Sequence, residues 1–474
     1  MTTQILIGDA LEQLRKIDSE SVHCCVTSPP YYGLRCYGTD GQIGLEETPE
    51  AHIAALIEVF RDVRRVLRPD GVLWLNYGDA YAGGGGFSAD APSSTQSKSG
   101  KYGLTGALKS GGVKPSGNIK PKDLLMLPAR VALALQADGW WLRSMLPWVK
   151  RSAMPESVTD RPATAIEYVF LLTKSGDTTF WQHRNGGATR EHPEPDYCWI
   201  HKDTGEEVST PPEGWNLGSE KKWKRVNLWR GRDYFFDMEA VRQASKRPGE
   251  LPGGDYIGRY IDNEVNGGWL NKTGVPNNRN FRNSDLFYAS LQPPHGLIYA
   301  DDPLALDVNP AGFAEAHFAT FPPKLIEPLI KAGTSEKGCC SDCGAPWVRE
   351  VERTAMIIDR SKRTHALGRT RTSGHMIEPP TAKTLGWSPS CECRRDMWDA
   401  DKSSHPPAPC TVLDPFGGAG TTGLVADRLG RDSILIELNP DYAEMARKRI
   451  DTDAATRGRG PAEVMRGDDL PLFA

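Results

Sequence analysis

Val412-Leu413-Asp414-Pro415-Phe416-Gly417-Gly418-Ala419-Gly420-Thr421-Thr422 reads as a strand, a glycine-rich turn and the start of a helix. Gly417, Gly418 and Gly420 let the backbone approach a ligand closely, and the first N–H groups of a helix have no partner within it. The spacing is not G-x-G-x-x-G and no G-K-[ST] follows, so the turn is neither a dinucleotide fingerprint nor a phosphate loop. The next strand, Ser433 to Ile436, ends at Glu437. An acid at that position can accept from both hydroxyls of a ribose. The two features together suit a nucleoside ligand without a pyrophosphate, of which S-adenosylmethionine is the common case.

Strand and helix signals alternate on both sides of this turn. Gln4-Ile5-Leu6-Ile7 is a strand candidate that stops at Gly8-Asp9, before a helical stretch from Ala10 to Ile17. Val22 to Val26 is another, and it runs into Thr27-Ser28-Pro29-Pro30-Tyr31, where two prolines end the ladder and stiffen the loop. Thr48 and Pro49 open a helix with Ile53, Leu56, Ile57, Phe60, Val63 and Leu67 on one face, closed by Pro69-Asp70-Gly71. Further strands are expected at Val72 to Leu75, Trp140 to Val149, Ile166 to Thr173 and Thr411 to Leu413. Further helices are expected at Leu124 to Gln136, Pro322 to Ala332, Thr421 to Leu429 and Pro440 to Ile450. Such alternation predicts an α/β fold with an open sheet, whose chemistry sits in the loops beyond the strand ends.

A chain of 474 residues, 39% hydrophobic and 25% charged, can bury a large core and carry insertions as well. No run approaches ~18 apolar residues and no basic-then-apolar leader opens the chain, so a cytoplasmic location without membrane contact is expected. The net charge of -4 excludes a globally basic nucleic-acid binder, but phosphate contact depends on local charge. From Lys98 to Arg151 ten Lys and Arg stand against Asp123 and Asp138 alone. Residues 83–122, with Gly83 to Gly86 and many Ser and Lys, are expected to form a mobile loop that orders on DNA. Lys221-Lys222-Trp223-Lys224-Arg225, followed by Arg230 and Arg232, interleaves cations with tryptophans as extruded bases favour. Periodicity weakens between Ser175 and Asp301, so residues 176–304 are expected to be an irregular insertion that reads the target.

The ten cysteines are unevenly spread. Cys24 and Cys25 lie inside a strand and read as core. Cys340-x-x-Cys343 ahead of Gly344, together with Cys391-x-Cys393, supplies four thiolates of the kind that hold a structural zinc. A site saturated by thiolates leaves no position for a catalytic water. The segment between the pairs is basic, with Arg353, Arg360, Lys362, Arg363, Arg369 and Arg371, so it offers a second DNA contact. The expected organisation is a catalytic half at 1–175, a cofactor half at 305–335 and 408–453, a zinc knuckle at 336–407 and a disordered tail at 454–474.

Thr27-Ser28-Pro29-Pro30-Tyr31 resembles the [DNS]-P-P-[YFW] loop of the DNA amino-methyltransferases, and Asp414 to Gly420 resembles their cofactor loop. The catalytic loop comes first, which is the motif order of that family's beta group. Gly8-Asp9 then resembles the strand end that contacts the cofactor's adenine ring. His317-Phe318-Ala319-Thr320-Phe321-Pro322 resembles the segment around its methionine part. The resemblance implies a Rossmann-like, circularly permuted, S-adenosylmethionine-dependent methyltransferase that acts on double-stranded DNA. It implies Ser28, Pro29, Pro30 and Tyr31 as the catalytic loop. Around the cofactor it implies Asp9, Thr320, Asp414, Phe416, Gly417, Gly418, Gly420, Thr421 and Glu437. In such a loop Ser28 Oγ and the Pro29 carbonyl accept from an exocyclic base amine, and Tyr31 stacks on the flipped base.

A serine at the head of the loop resembles cytosine-N4 enzymes more often than adenine-N6 enzymes, so cytosine N4 is preferred and adenine N6 is the alternative. Two other readings compete: the same fold acting on RNA or protein glutamine, and an inactive zinc-dependent DNA-binding protein. The insertion and the basic loop favour DNA, and the intact loop with Glu437 favours activity. Arg161 to Tyr168 also resembles family sequence, with no role derivable from the residues. A companion restriction endonuclease is a candidate partner.

Overall fold

Apolar residues alternate between two sides of each central strand, and that alternation builds a three-layer fold. Ile5, Cys24, Val412 and Leu435 join one core, while Leu6, Cys25, Leu413 and Ile434 join the other. The computed structural model describes residues 1–33, 41–82, 119–150, 160–162, 164–184, 186–201, 206–215, 222–241, 306–308, 321–353, 357–359, 375–378, 382–393 and 407–458. Its main sheet contains β1 (Thr3–Ile7), β2 (Val22–Thr27), β3 (Leu67–Tyr77), β4 (Trp141–Val149), β5 (Ile166–Thr173), β6 (Leu306–Asp307), β7 (Thr411–Asp414) and β8 (Asp432–Glu437). The spatial order is β1-β8-β7-β2-β3-β5-β4-β6. Only β5 runs antiparallel to its neighbours.

Helices α1 (Ala10–Leu14), α2 (Pro49–Val66) and α3 (Leu127–Ala137) cover one face, and α4 (Pro323–Gly333), α5 (Thr421–Arg428) and α6 (Pro440–Thr456) cover the other. The C-terminal strands β7 and β8 are wedged between the N-terminal strands β1 and β2, as the permuted motif order requires. Val412 and Leu413 pair with Cys24 and Cys25, and Ile7 pairs with Glu437. Cys24 and Cys25 are fully buried, as the sequence predicts for core residues.

Element ends differ from expectation for local reasons. Thr48 caps α2 by accepting from the Ala51 N–H at 3.1 Å, as expected, but the helix stops at Val66 and Pro69-Asp70-Gly71 lies within β3. Helix α3 starts at Leu127 because Asp79 accepts the Leu127 N–H at 3.0 Å and Met126 takes a left-handed conformation, φ 54°. Helix α6 runs past Ile450 to Thr456 because Ala454 is buried, so the expected tail starts later, and residues 459–474 lie outside the described ones.

The described part of the region 176–304 is more regular than its sequence suggests. Phe180–His183 pairs with Ala188–Thr189 and with Trp229–Arg232, and Tyr197–His201 pairs with Glu207–Val208 and with Trp223–Asn227. Within the cation–aromatic run Arg225 lies 4.6 Å from the Tyr197 ring and Trp223 meets His201 edge-on at 5.0 Å, while Lys222, Lys224, Arg225 and Arg230 are exposed. The Phe180 sheet and the segment that follows it pack on the hairpin Trp347–Arg353/Ala382–Pro389 through Phe180, Phe235 and Val348 and through the Arg349–Asp237 ion pair at 3.0 Å. The hairpin and the cysteine knuckle sit at the starting ends of β2 and β3. There His23 Nε2 lies 2.8 Å from Gly344 O, and Arg68 Nη1 donates to Cys343 O at 2.6 Å. At about 3.3 Å per strand residue, His23 is about 17 Å from Ser28, so this lobe and the catalytic loop occupy opposite ends of the sheet. Residues 83–118 of the expected mobile loop, and 242–304 of the insertion, lie outside the described residues.

Candidate active site and cofactor cleft

The carboxyl ends of β1, β2, β7 and β8 converge on one cleft, of about 1120 Å³ out to its open mouth. Ser28 and Pro30 of the Ser28-Pro29-Pro30-Tyr31 loop line it together with Asp9, Asp414, Phe416, Gly417, Gly418, Thr421 and Glu437. Both loops that the sequence singles out therefore face the same space. Thr320, Pro29 and Tyr31 differ: Thr320 lies outside the described residues, although its neighbour Phe321 lines the cleft, Pro29 is buried behind Ser28, and Tyr31 does not line the cleft, its hydroxyl turned to Asn76 and Glu167. Gly420 does not line it. A Cβ on Gly420 would meet Ala446 Cβ at 2.8 Å, so this glycine, at φ +71°, serves the close approach of α5 and α6.

Asp414 is a strut between the two loops. Its Oδ1 accepts from Thr27 Oγ1 at 2.7 Å and from the Phe416 N–H at 3.1 Å, and its Oδ2 accepts from Thr422 Oγ1 at 2.6 Å. Thr27 immediately precedes Ser28, so the position of the catalytic loop is tied to that of the glycine turn. Burial pushes the Asp414 carboxyl up to about 6, against the three hydrogen bonds that favour its charged form.

Glu437 ends β8 with Oε2 accepting from the Gly418 N–H at 2.8 Å and Oε1 from the Asn439 N–H at 2.9 Å. Burial raises its carboxyl above the ordinary range while those amides pull the other way. Each carboxylate oxygen has a second lone pair, so two ribose hydroxyls can still be received. Asp9 caps α1 by accepting from the Glu12 N–H at 3.0 Å and lines the cleft. Carboxylates at two strand ends, a glycine turn with close backbone approach and apolar walls at Phe416 and Phe321 fit a nucleoside with an aliphatic sulfonium tail.

The Ser28-Pro29-Pro30-Tyr31 loop is braced from the far side. Tyr31 Oη lies 2.9 Å from Glu167 Oε2 and 3.2 Å from Asn76 Oδ1, and Ser28 Oγ lies 3.4 Å from Tyr31 Oη. The ring meets Tyr77 edge-on at 5.0 Å. Burial, followed by the charge of Glu167, drives the Tyr31 phenol well above its ordinary range, so it stays protonated. Lys150 pairs with the other oxygen of Glu167.

Sequence reasoning missed Asn439, Tyr442 and Met445 in the cleft wall. Tyr442 and Met445 are three residues apart on α6, just beyond Glu437, and that helical spacing was the available signal. It also missed the use of Asn76 and Glu167. A lone acid opening the apolar run Ile166-Glu167-Tyr168-Val169-Phe170 was the visible clue.

The four expected thiols of Cys340, Cys343, Cys391 and Cys393 come together, with every sulfur within 4.8 Å of the others. Gly344 at φ +66° closes the knuckle, its N–H donating to Cys340 O at 2.8 Å. Sulfurs at about 2.3 Å from a tetrahedral ion stand within such a span, so the set fits a zinc ion.

A family model described as DNA methylase, for N6 and N4 methyltransferases, matches residues 22–343 and 403–448. The chain belongs to this family. It is an S-adenosylmethionine-dependent DNA methyltransferase of the N4/N6 class. It is 30% identical over 444 residues to the type II methyltransferase M.XycI of Xanthomonas campestris pv. cyanopsidis, covering 94% of this chain and 86% of that one. A shorter stretch of 171 residues is 47% identical to the type II methyltransferase M.SmaI of Serratia marcescens, over 36% of this chain and 56% of that protein. Among solved structures, a cytosine-N4-specific PvuII DNA methyltransferase is similar at TM-score 0.42 and 14% identity, over 99% of this chain and 96% of that one. No described helix is long and apolar enough to cross a membrane.

Proposed function

We propose that this chain methylates the N4 amine of a cytosine flipped out of duplex DNA, as the modification enzyme of a type II restriction–modification system. The observation that carries the reading is the shared cleft: Ser28 and Glu437 line the same space, with Thr27 and Asp414 fixing one loop to the other. S-adenosylmethionine supplies an electrophilic methyl group when bound. Glu437 receives its ribose hydroxyls, and Phe416, Phe321 and Asp9 enclose the rest. Ser28 Oγ and the Pro29 carbonyl accept the two N–H groups of the base amine, which turns the nitrogen lone pair towards the methyl group. Pro29 and Pro30 hold that carbonyl without reorganisation. No cysteine lines the described cleft, in keeping with direct transfer rather than thiolate attack on the ring.

The thiols of Cys340, Cys343, Cys391 and Cys393 hold a structural zinc in this reading. Their place at the starting ends of the strands, where Arg68 and His23 grip the knuckle carbonyls, gives the ion an architectural role. The test of the base is nucleoside mass spectrometry of duplex DNA incubated with the protein and methyl-labelled S-adenosylmethionine. N4-methylcytosine is expected. N6-methyladenine would overturn the base and keep the mechanism, and no labelled nucleoside would overturn both.

A further inference from the structure

A serine hydroxyl at the head of the loop poses a problem that an aspartate would not: it is both donor and acceptor, and only an acceptor can receive the N–H of the target amine. The structure contains a means of fixing its direction. Asn76 Nδ2 donates to Glu167 Oε2 and to Tyr168 O, both at 3.2 Å, which turns Asn76 Oδ1 towards Tyr31. The Tyr31 hydroxyl therefore faces two acceptors, Glu167 Oε2 at 2.9 Å and Asn76 Oδ1 at 3.2 Å, and its single proton goes to one of them. What Tyr31 presents to Ser28, 3.4 Å away, is a lone pair. Ser28 must then donate to Tyr31, and its remaining lone pairs are left for the substrate.

We propose that Glu167 is a positioning residue for methyl transfer, acting through the chain Ser28 Oγ–H to Tyr31 Oη–H to Glu167 carboxylate. The inference rests on the proposed amine-accepting role of Ser28. Through two hydrogen bonds the half-buried carboxylate makes a neutral serine oxygen act as an oriented, polarised acceptor. Lys150 anchors the other carboxylate oxygen while its Nζ lies 4.3 Å from the Trp148 ring centre. Gly78 makes the approach possible, since a Cβ there would lie 2.7 Å from Tyr31 Cε2 and 3.3 Å from Glu167 Cδ. The chain gives the Arg161 to Tyr168 segment a role at the reacting end of the sheet, and it gives Tyr31 a task that phenylalanine could not perform.

The test compares wild type, Tyr31→Phe, Glu167→Ala and the double variant in single-turnover methyl transfer at saturating duplex DNA and S-adenosylmethionine. Dissociation constants for both are measured in parallel. Loss of one oriented hydrogen bond is expected to slow the transfer step about tenfold in each single variant. Cofactor affinity should stay within about twofold, because the chain touches only the catalytic loop. The double variant should be no slower than the slower single one, since both cut the same chain. A purely structural role would leave the saturated rate unchanged and move melting temperature or DNA affinity instead, and that result overturns the proposal, as do losses that multiply. If Glu167→Ala fails to fold, Tyr31→Phe decides alone, because it removes a single oxygen. Wild-type protein that transfers no label to DNA overturns the methyltransferase reading and the chain with it, whereas an active wild type with unaffected variants overturns the chain alone.

Discussion

Replacing Asp414 by Asn should make the protein's stability less dependent on pH, with little structural change. The side chain is 2% exposed and its carboxyl sits near 6, against about 3.9 in an unfolded chain. At about 1.4 kcal/mol per pH unit, the ionised form is held at a cost of about 3 kcal/mol relative to the protonated one. Because the folded value is raised, the folded state binds more protons than the unfolded one between about pH 4 and 6. Stability from this group is therefore greatest at low pH and falls as pH rises through 6. Between pH 4.5 and 7.5 the change is about 2 kcal/mol. Asparagine has no such titration and can keep the network. Its Oδ1 still accepts from Thr27 and Phe416, and its Nδ2 can donate to Thr422 Oγ1 while that hydroxyl donates to Val26 O, 3.3 Å away. Urea unfolding of both proteins by far-ultraviolet circular dichroism at several pH values gives the comparison. The stability of Asp414→Asn relative to wild type should rise by about 2 kcal/mol from pH 4.5 to 7.5. A difference that stays constant across that range would falsify the assignment of a raised, burial-driven carboxyl.

Gly420→Val should lower stability by about 2–5 kcal/mol, combining a left-handed backbone with an overpacked contact on Ala446, and an unchanged melting temperature would contradict this. Glu437→Ala should weaken S-adenosylmethionine binding by about 10–100-fold in isothermal titration, since it removes charged hydrogen bonds to the ligand and the partner of the Gly418 amide, and wild-type affinity would remove the ribose role. Cys343→Ser should abolish most of one zinc equivalent by elemental analysis and lower the melting temperature while leaving cofactor affinity within about twofold, given the distance along the sheet. Zinc-free wild-type protein with the same stability would end the structural-metal reading.

The fold was legible where local chemistry and the sheet agree. The glycine turn at Gly417 and Gly418, the proline stop after Thr27 and the acid at Glu437 each announce a strand end, and in a parallel sheet strand ends of one polarity share an edge. The four cysteines were legible because ligand spacing is a local property. Less was visible where function depends on pairing between distant segments. Asp414 lines the cleft, but its further part as a strut was not visible, because Thr27 and Thr422 converge on it only once β2 and β7 are adjacent. Gly420 reads as part of a cofactor loop, yet its neighbour is Ala446, which no pattern in the turn reveals. The insertion looked irregular because its described strands are short, five residues or fewer, and their pairing carries too few residues for a periodic signal. The contact between Arg225 and the Tyr197 ring was not visible either, because the two residues meet only when their strands pair.

The most direct test of the account is transfer of labelled methyl groups to duplex DNA by wild type and by Ser28→Ala, with cofactor binding measured on the same preparations. Ser28 lines the cleft without bonding to the glycine turn, so Ser28→Ala should bind S-adenosylmethionine like wild type and transfer at least about a hundredfold more slowly. Equal transfer rates for the two proteins would contradict the assignment of Ser28-Pro29-Pro30-Tyr31 as the catalytic loop.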